Sequence, residues 1–314
     1  MASAAVARGH QVSVFHRGQT GRHVLPGVEH LLGDRDGDLS ALAGRDWDAT
    51  IDVCAYLPRQ VQGLAAALGE RAGRFTLVSS VSAYAMPVAG FTEDAPLAAP
   101  PPEGVTEVTP QTYGGLKVAC ECAARAGFGP GTLIIRPSYV VGPGDYTWRF
   151  PAWVSRISQG VEVLAPGPRE DPVQLVDARD LADWVVHLVE RGVAGAMHAA
   201  SPAPPWTWAE ALSAIVDTVG PPGTRLSWVP AEFLRRAGVD QEDLPLWAAS
   251  DESRFMLAAD PSAAFATGLS PRPLADTIGD VAAWVRTLGQ EAPAAKLSRA
   301  REREVLQAWH AAGG

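Results

Sequence analysis

The sequence predicts an α/β fold: a doubly wound parallel sheet followed by a smaller, mostly helical C-terminal lobe. Two observations carry this. Short β-branched, apolar runs recur between Gln11 and Arg136 with helical patterns between most of them, and strands alternating with helices pair in parallel through right-handed crossovers. From Trp206 to Leu288 the pattern becomes mostly helical and rich in Trp and Pro, as in a lid or lobe. A chain of 314 residues, 47% hydrophobic and 19% charged, is long enough for one large core with an appendage. The division expected is a core over 1–200 and a lobe with a tail helix over 201–314.

The elements follow in order. Gly9 reads as a helix stop, so the chain opens at the end of a helix, and Gln11 to His16 then alternates as a strand. Further strands are expected at Val28 to Leu32, Ala49 to Val53, Phe75 to Ser79 and Thr132 to Arg136, with helices at Arg59 to Leu68 and Thr112 to Ala126. Between Phe91 and Pro110 lies a Pro, Glu, Thr and Ala stretch, including three consecutive prolines at 100–102, which reads as a long exposed loop. After an irregular stretch from Gly142 to Arg149, Pro151 suits the first turn of a helix running to Gln159. Val173 to Val176 reads as a strand and Asp180 to Arg191 as a helix capped by its aspartate. Alternating Arg and Glu ahead of Val305, Leu306 and Trp309 describe a surface helix from Ser298 to His310, docked by one apolar edge.

Charge and composition exclude several classes. A net charge of -9 speaks against a protein that holds phosphate backbones and favours a small-molecule ligand. Cys54, Cys120 and Cys122 cannot pair completely and have no zinc spacing, so a reducing cytoplasm is the simplest compartment. The first residues lack a signal peptide's apolar stretch, and no run approaches the roughly 20 apolar residues of a membrane span. The histidines, among them His10, His16, His23 and His30, are scattered and show no ligand pair on one helix face, so no metal is expected.

The sharpest chemical signal is Tyr113-Gly114-Gly115-Leu116-Lys117. Residues four apart share a helix face, and a neighbouring ammonium stabilises a phenolate, so this pair suits proton transfer near neutrality. Upstream, Phe75 to Val78 runs into Ser79-Ser80-Val81-Ser82-Ala83-Tyr84, which puts hydroxyls at the carboxyl end of a parallel strand, where open α/β sheets bind ligands. Downstream, Leu133 to Pro137 leads to Val140-Val141-Gly142-Pro143-Gly144-Asp145. Singly, each has a plain structural reading: serines cap turns and Gly-Pro-Gly is ordinary loop chemistry.

Together, in this order, they resemble the extended short-chain dehydrogenase/reductase family, the NAD-dependent epimerase/dehydratases. The resemblance runs from residue 2 to about residue 290 and includes Thr92-Glu93-Asp94-Ala95-Pro96-Leu97 and Val176-Asp177-Ala178-Arg179-Asp180-Leu181-Ala182. It implies a Rossmann-like core, Tyr113 as acid/base, Lys117 binding the nicotinamide ribose, and Ser80 bonding the reacting oxygen, with Ser79 and Ser82 as nearby competitors. Asp177 and Asp180 are expected to organise and cap the following helix.

Cofactor contacts follow from the same resemblance. At the end of the second family strand an acidic residue selects NAD and a basic one accommodates the 2′-phosphate of NADP. Here the place reads His16-Arg17, which favours NADP with Arg17 on the phosphate, NAD being the alternative and a solvated Arg the plainer reading. Asp34 matches a position facing adenine and equally suits a turn; Ala55 and Pro137 complete the expected lining. The family's glycine loop has no counterpart in this sequence, so a core without its first strand and that loop is expected, from a late start site or a shortened chain, with weak or absent NADP binding. The implied activity is oxidation-reduction or epimerisation at a hydroxyl or carbonyl of a small molecule such as a nucleotide sugar or secondary metabolite. Dehydration is less expected because Val81 and Ser82, rather than an acidic pair, follow Ser80. The competing expectation is a catalytically degenerate binder or regulator on the same fold. Homodimerisation through paired helices is a further expectation from lookalikes.

Overall fold

The computed structural model describes residues 1–19, 25, 27–248, 254–293 and 296–314, so His23 lies outside the described residues. In chain order the elements begin with α1 (Ala2–Ala7), β1 (Ser13–His16), β2 (Glu29–Leu32), β3 (Ala49–Asp52), α2 (Pro58–Leu68), β4 (Arg74–Val78), α3 (Pro110–Phe128) and β5 (Leu133–Pro137). They continue with β6 (Tyr139–Val141), α4 (Arg149–Ser158), β7 (Glu162–Pro166), β8 (Pro172–Val173), β9 (Leu175–Asp177), α5 (Ala178–Glu190) and β10 (Gly195–Ala199). The last are β11 (Trp206–Thr207), α6 (Trp208–Val219), β12 (Arg225–Val229), α7 (Ala231–Arg236), α8 (Ser262–Ala266), α9 (Leu274–Leu288) and α10 (Arg299–Ala311). They form two compact units, each assembled from separated stretches of chain: Met1–Ser138 with Arg179–Ala199 and Ala259–Ser270, and Tyr139–Ala178 with Ala200–Ala258 and Pro271–Gly314.

The first unit holds a four-stranded sheet in the order β10-β5-β4-β3. All its pairs are parallel, with Thr50 opposite Phe75, Thr76 opposite Leu133 and Ile135 opposite Met197. Every residue of β5 is buried, which explains why Leu133-Ile134-Ile135 reads as a continuous apolar run: a strand covered on both faces has no polar side to alternate with. Helices α2 and α3 lie together, and Phe128 of α3 stacks on Phe75 of β4 with ring centroids 3.7 Å apart. Strands β1 and β2 pair in parallel as a separate ladder, packing Leu31 with Leu42, Leu68 and Ala72. Beside α5, α1 contributes Ala4 to a small cluster with Ala182 and Val186, while Arg8 reaches Glu190 at 2.9 Å.

The second unit is built on short paired strands, β7 with β12 and β6 with β9 in parallel, β8 with β11 antiparallel. Its core gathers Phe150, Trp153 and Ile157 of α4, Leu212 and Ile215 of α6, and Ile278 and Val281 of α9. The tryptophans anchor it as the sequence suggests: Trp208 and Trp247 are buried, Trp206 and Trp228 pack at its margin, and Trp247 donates its indole N–H to the Gly167 carbonyl at 2.9 Å. A buried indole needs such a partner.

Local expectations differ from the structure in several places, including β6, β7 and β10, which the sequence reading does not separate out. The strand expected over Val173 to Val176 is two, β8 and β9, paired with different partners and separated by the buried Gln174, whose side chain donates to the Pro202 carbonyl. Asp180 is the third residue of α5, which starts at Ala178 straight after β9, so the position just before the helix falls to Asp177. The stretch 206–288 includes β12, whose alternation in Arg225–Val229 pairs with β7, a strand that the reading above passes over. The tail helix α10 does dock by Val305 and Leu306, but its buried face also carries Glu302, which bonds Arg156 and the backbone N–H of Leu164.

Candidate active site

The site grows from the carboxyl ends of β3 and β4 and one face of α3, all within the first unit. Thr109 caps α3 in a reciprocal arrangement: its hydroxyl accepts from the Thr112 N–H at 3.2 Å, while the Thr112 hydroxyl accepts from the Thr109 N–H at 2.9 Å. Pro110 occupies the first turn, where its missing N–H costs nothing. The helix therefore begins at a fixed point three residues before Tyr113. Tyr113, Lys117 and Glu121 then recur every four residues and share one face.

Two glycines between Tyr113 and Lys117 would normally weaken a helix by about 1 kcal/mol each relative to alanine. Their surroundings explain them. A Cβ on Gly114 would lie 2.1 Å from the Ser82 carbonyl oxygen, and one on Gly115 would lie 2.5 Å from that of Ala99. Only glycine lets the strand-end turn of β4 approach the helix beside Tyr113 and lets the proline-rich loop lie against the next position. That loop is mostly exposed, as expected, but it is pinned to α3 here.

Of the three candidate serines, the structure assigns different partners. Ser79 donates its hydroxyl to Glu121 at 2.5 Å and is buried. Ser80 accepts from the Ser82 N–H at 3.1 Å, which shapes the short turn over 81–83 and leaves its own O–H able to donate. Ser82 supplies the carbonyl that meets Gly114.

Lys117 is 4% exposed, and its ammonium donates to the Ala55 carbonyl at 2.9 Å and the Val78 carbonyl at 2.8 Å. Two of its three N–H donors thus tie α3 to the ends of β3 and β4. Burial, which disfavours the charged form, holds its pKa below that of an ordinary lysine. Ala55 is fully buried, and its contribution is this carbonyl. Next to it, Tyr56 places its ring 5.7 Å from the Lys117 ammonium and 6.3 Å from the Tyr113 ring.

The remaining predicted positions lie at other strand ends. Pro137 closes β5 and is buried. His16 ends β1; its Nδ1 accepts from the Gly18 N–H at 2.9 Å, so its Nε2–H donates to His30 Nδ1 at 2.8 Å. Arg17 is exposed. Asp34 accepts from the Asp36 N–H at 3.0 Å, the bond of an Asx turn.

Beneath the site lies a buried polar network that sequence reasoning missed. Arg136 donates to both Glu121 oxygens, at 3.0 and 2.7 Å, and to the Tyr84 hydroxyl at 2.6 Å. Tyr84 in turn lies 2.6 Å from His198 Nε2, and His198 Nδ1 lies 3.1 Å from the Asp260 carbonyl. These bonds fix the tautomer, with Nδ1–H donating and Nε2 accepting from the phenol. Burial pushes the Tyr84 phenol up to about 12 against the pull of Arg136, and burial likewise lowers the His198 pKa, so both rest neutral. Glu93, in the acidic loop, accepts from the His198 backbone N–H at 2.9 Å and offers its own carbonyl to Arg136 at 3.1 Å. The sequence signals were Glu121, four residues beyond Lys117, and the motif positions Tyr84 and Glu93, whose partners no spacing reveals. The three cysteines are free thiols, and no helix among the described residues is long and apolar enough to cross a membrane.

Residues 47–199 match the NAD dependent epimerase/dehydratase family. No curated protein matches the chain. Solved structures with the same fold include the Bordetella bronchiseptica enzyme WbmH in complex with NAD+, at 18% identity and a TM-score of 0.68, covering 92% of this chain and 94% of that one. A UDP-glucuronic acid 4-epimerase from Bacillus cereus in complex with NAD is 14% identical with a TM-score of 0.64, covering 91% and 94%. A UDP-N-acetylglucosamine 4-epimerase from the same organism is 15% identical with a TM-score of 0.63, covering 90% and 91%. At these identities the likeness is one of fold.

Proposed function

We propose that the chain is an oxidoreductase or epimerase acting at a hydroxyl or carbonyl of a small molecule, with Ser80, Tyr113 and Lys117 as its site; the match of residues 47–199 to the NAD-dependent epimerase/dehydratase family supports this reading. The observation that carries the reading is the Lys117 ammonium, locked to two strand-end carbonyls one helical turn from Tyr113, with the Ser80 turn seated on Gly114 between them.

A nicotinamide dinucleotide, when bound, supplies the hydride acceptor or donor. The donor set suits its ribose end: Lys117 keeps a third N–H beyond its two backbone bonds, and backbone and hydroxyl groups line the strand ends around it. Tyr113 exchanges the proton of the reacting hydroxyl, Lys117 stabilises the phenolate that this creates, and Ser80 donates its hydroxyl to the same oxygen. For the cofactor, Arg17 favours NADP through its charge, while two of the similar structures named above contain NAD; measuring both cofactors decides. The substrate class best supported is a nucleotide sugar, the substrate named for two of those enzymes.

The test has two stages. Quenching of tryptophan fluorescence by NADP or NAD separates an enzyme from a fold that has lost its cofactor. Incubation with UDP-glucose, UDP-glucuronic acid and UDP-N-acetylglucosamine, followed by proton NMR, then reads epimerisation directly. Turnover that survives intact in Tyr113→Phe removes the mechanism.

A further inference from the structure

We infer that Tyr56 is a positioning residue for the Tyr113–Lys117 pair, its ring forming the third wall around the lysine ammonium; this rests on the catalytic reading above and adds a residue to it.

The case starts with the backbone. Tyr56 follows Ala55, whose carbonyl accepts from Lys117, and the Tyr56 N–H donates to the Gln60 side chain at 2.9 Å. The peptide between Ala55 and Tyr56 is therefore held through its oxygen by α3 and through its nitrogen by α2. Gln60 is itself fixed: its oxygen also accepts from the Leu57 N–H at 3.2 Å, and its amide donates to both Asp36 oxygens at 3.1 and 2.9 Å. Pro58 then locks the first turn of α2. A side chain carried on such a peptide has little backbone freedom left, so the place of its ring is set by the fold.

That ring meets both partners of the pair. It lies 5.7 Å from the Lys117 ammonium, within the range of a cation–π attraction, and 6.3 Å from the Tyr113 ring at a 44° tilt, within the range of an aromatic contact. The Ala55 and Val78 carbonyls take two N–H bonds of the ammonium, and the Tyr56 ring lies beside it while its third N–H stays open to a ligand. At 39% exposed, Tyr56 still presents part of its surface outward. Losing the ring would hydrate the ammonium and free the Tyr113 ring to tilt, and both changes weaken the hold of Lys117 on a phenolate. The ring performs this task, so phenylalanine should serve and alanine should not.

The chain has two lysines, Lys117 and Lys296, which makes a substrate-free test direct. Lys296 is 64% exposed and serves as the internal reference. Trace labelling with acetic anhydride, read by mass spectrometry, should give a low Lys117-to-Lys296 ratio in the wild-type chain. Tyr56→Ala should raise that ratio about fivefold, the scale of one partly desolvated cation–π contact, and Tyr56→Phe should bring it back. An unchanged ratio in Tyr56→Ala, or a ratio in Tyr56→Phe as high as in alanine, overturns the inference. With whichever of the three UDP-sugars is turned over, Tyr56→Ala should lower kcat about tenfold at nearly constant KM, with Tyr56→Phe recovering most of the loss. If Tyr113→Phe is inactive while Tyr56→Ala keeps its kcat, the role of Tyr56 falls and the catalytic reading stands. If no sugar is turned over and no dinucleotide binds, the catalytic reading falls, and the labelling ratio still decides whether Tyr56 shields Lys117.

Discussion

Replacing Glu121 by alanine tests how the site is held in register. Its carboxylate is 2% exposed and receives three charge-assisted bonds: two from Arg136 at 3.0 and 2.7 Å, one from Ser79 at 2.5 Å. Arg136 is equally buried, and its remaining bonds to the Tyr84 hydroxyl and the Glu93 carbonyl carry no compensating negative charge. Removing the carboxylate therefore strands a guanidinium in the interior and leaves the Ser79 hydroxyl without its acceptor. Breaking a buried pair from one side costs about 3–5 kcal/mol, chiefly the desolvation of the charge left behind. For a unit of this size that corresponds to a fall in Tm of roughly 10 °C, at about 2–4 °C per kcal/mol. Urea denaturation followed by circular dichroism at 222 nm measures the loss at constant m. The second arm is Arg136→Met combined with Glu121→Ala, which removes the stranded charge and should recover about half the loss, a coupling that independent sites would not show. A Glu121→Ala loss below about 1 kcal/mol, or additive single and double variants, would refute the reasoning, since either result means that the pair is hydrated or relaxes freely.

The other expectations are simpler. Gly114→Ala should destabilise by about 1–3 kcal/mol, because its Cβ would sit 2.1 Å from the Ser82 carbonyl, and should lower activity more than stability; an unchanged urea midpoint defeats the packing argument. Gly279→Ala is the converse case: its Cβ in α9 would meet nothing within 4 Å, so the change should stabilise by about 0.5–1 kcal/mol in the same assay. Burial lowers the His198 pKa below its ordinary 6.5, so between those two values the unfolded chain binds the proton and the folded one does not. The stability that depends on neutral His198 is thus complete above about pH 6.5 and is lost as pH falls toward the lower folded value; denaturation midpoints between pH 8 and pH 5 should show that slope, and His198→Asn should flatten it. Tyr113→Phe should abolish turnover of the UDP-sugar probe while shifting Tm by less than about 2 °C, since its loss is one hydroxyl at a half-exposed ring.

Much of the first unit was legible. The runs that become β3, β4 and β5 are short and apolar, most fully in β5, where every residue is buried, and that pattern is local information. Helix α3 could be placed because Tyr113 and Lys117 fall at helical spacing, and its cap, Thr109 with Pro110, lies in the sequence for the same reason. The second unit was harder to read. Its strands are two to five residues long and pair with partners far along the chain, as β12 does with β7, so no single window contains the alternation and the register together.

The sequence by itself determined where the candidate groups stand along the chain: a phenol and an ammonium one helical turn apart, hydroxyls at a strand end, and a glycine pair between Tyr113 and Lys117. Those are consequences of spacing along one chain, which helix and strand geometry translate directly into shared faces. Only the tertiary structure decided how each group is used. It spent the Ser79 hydroxyl on Glu121 and kept Ser80 for the turn, fixed Lys117 to the carbonyls of Ala55 and Val78, and brought Tyr56 beside it from the loop between β3 and α2. Hydrogen bonds and ring contacts between segments far apart in the chain carry no periodic signature. They arise because a buried polar group must find its partner wherever the packing of sheet and helix happens to bring one.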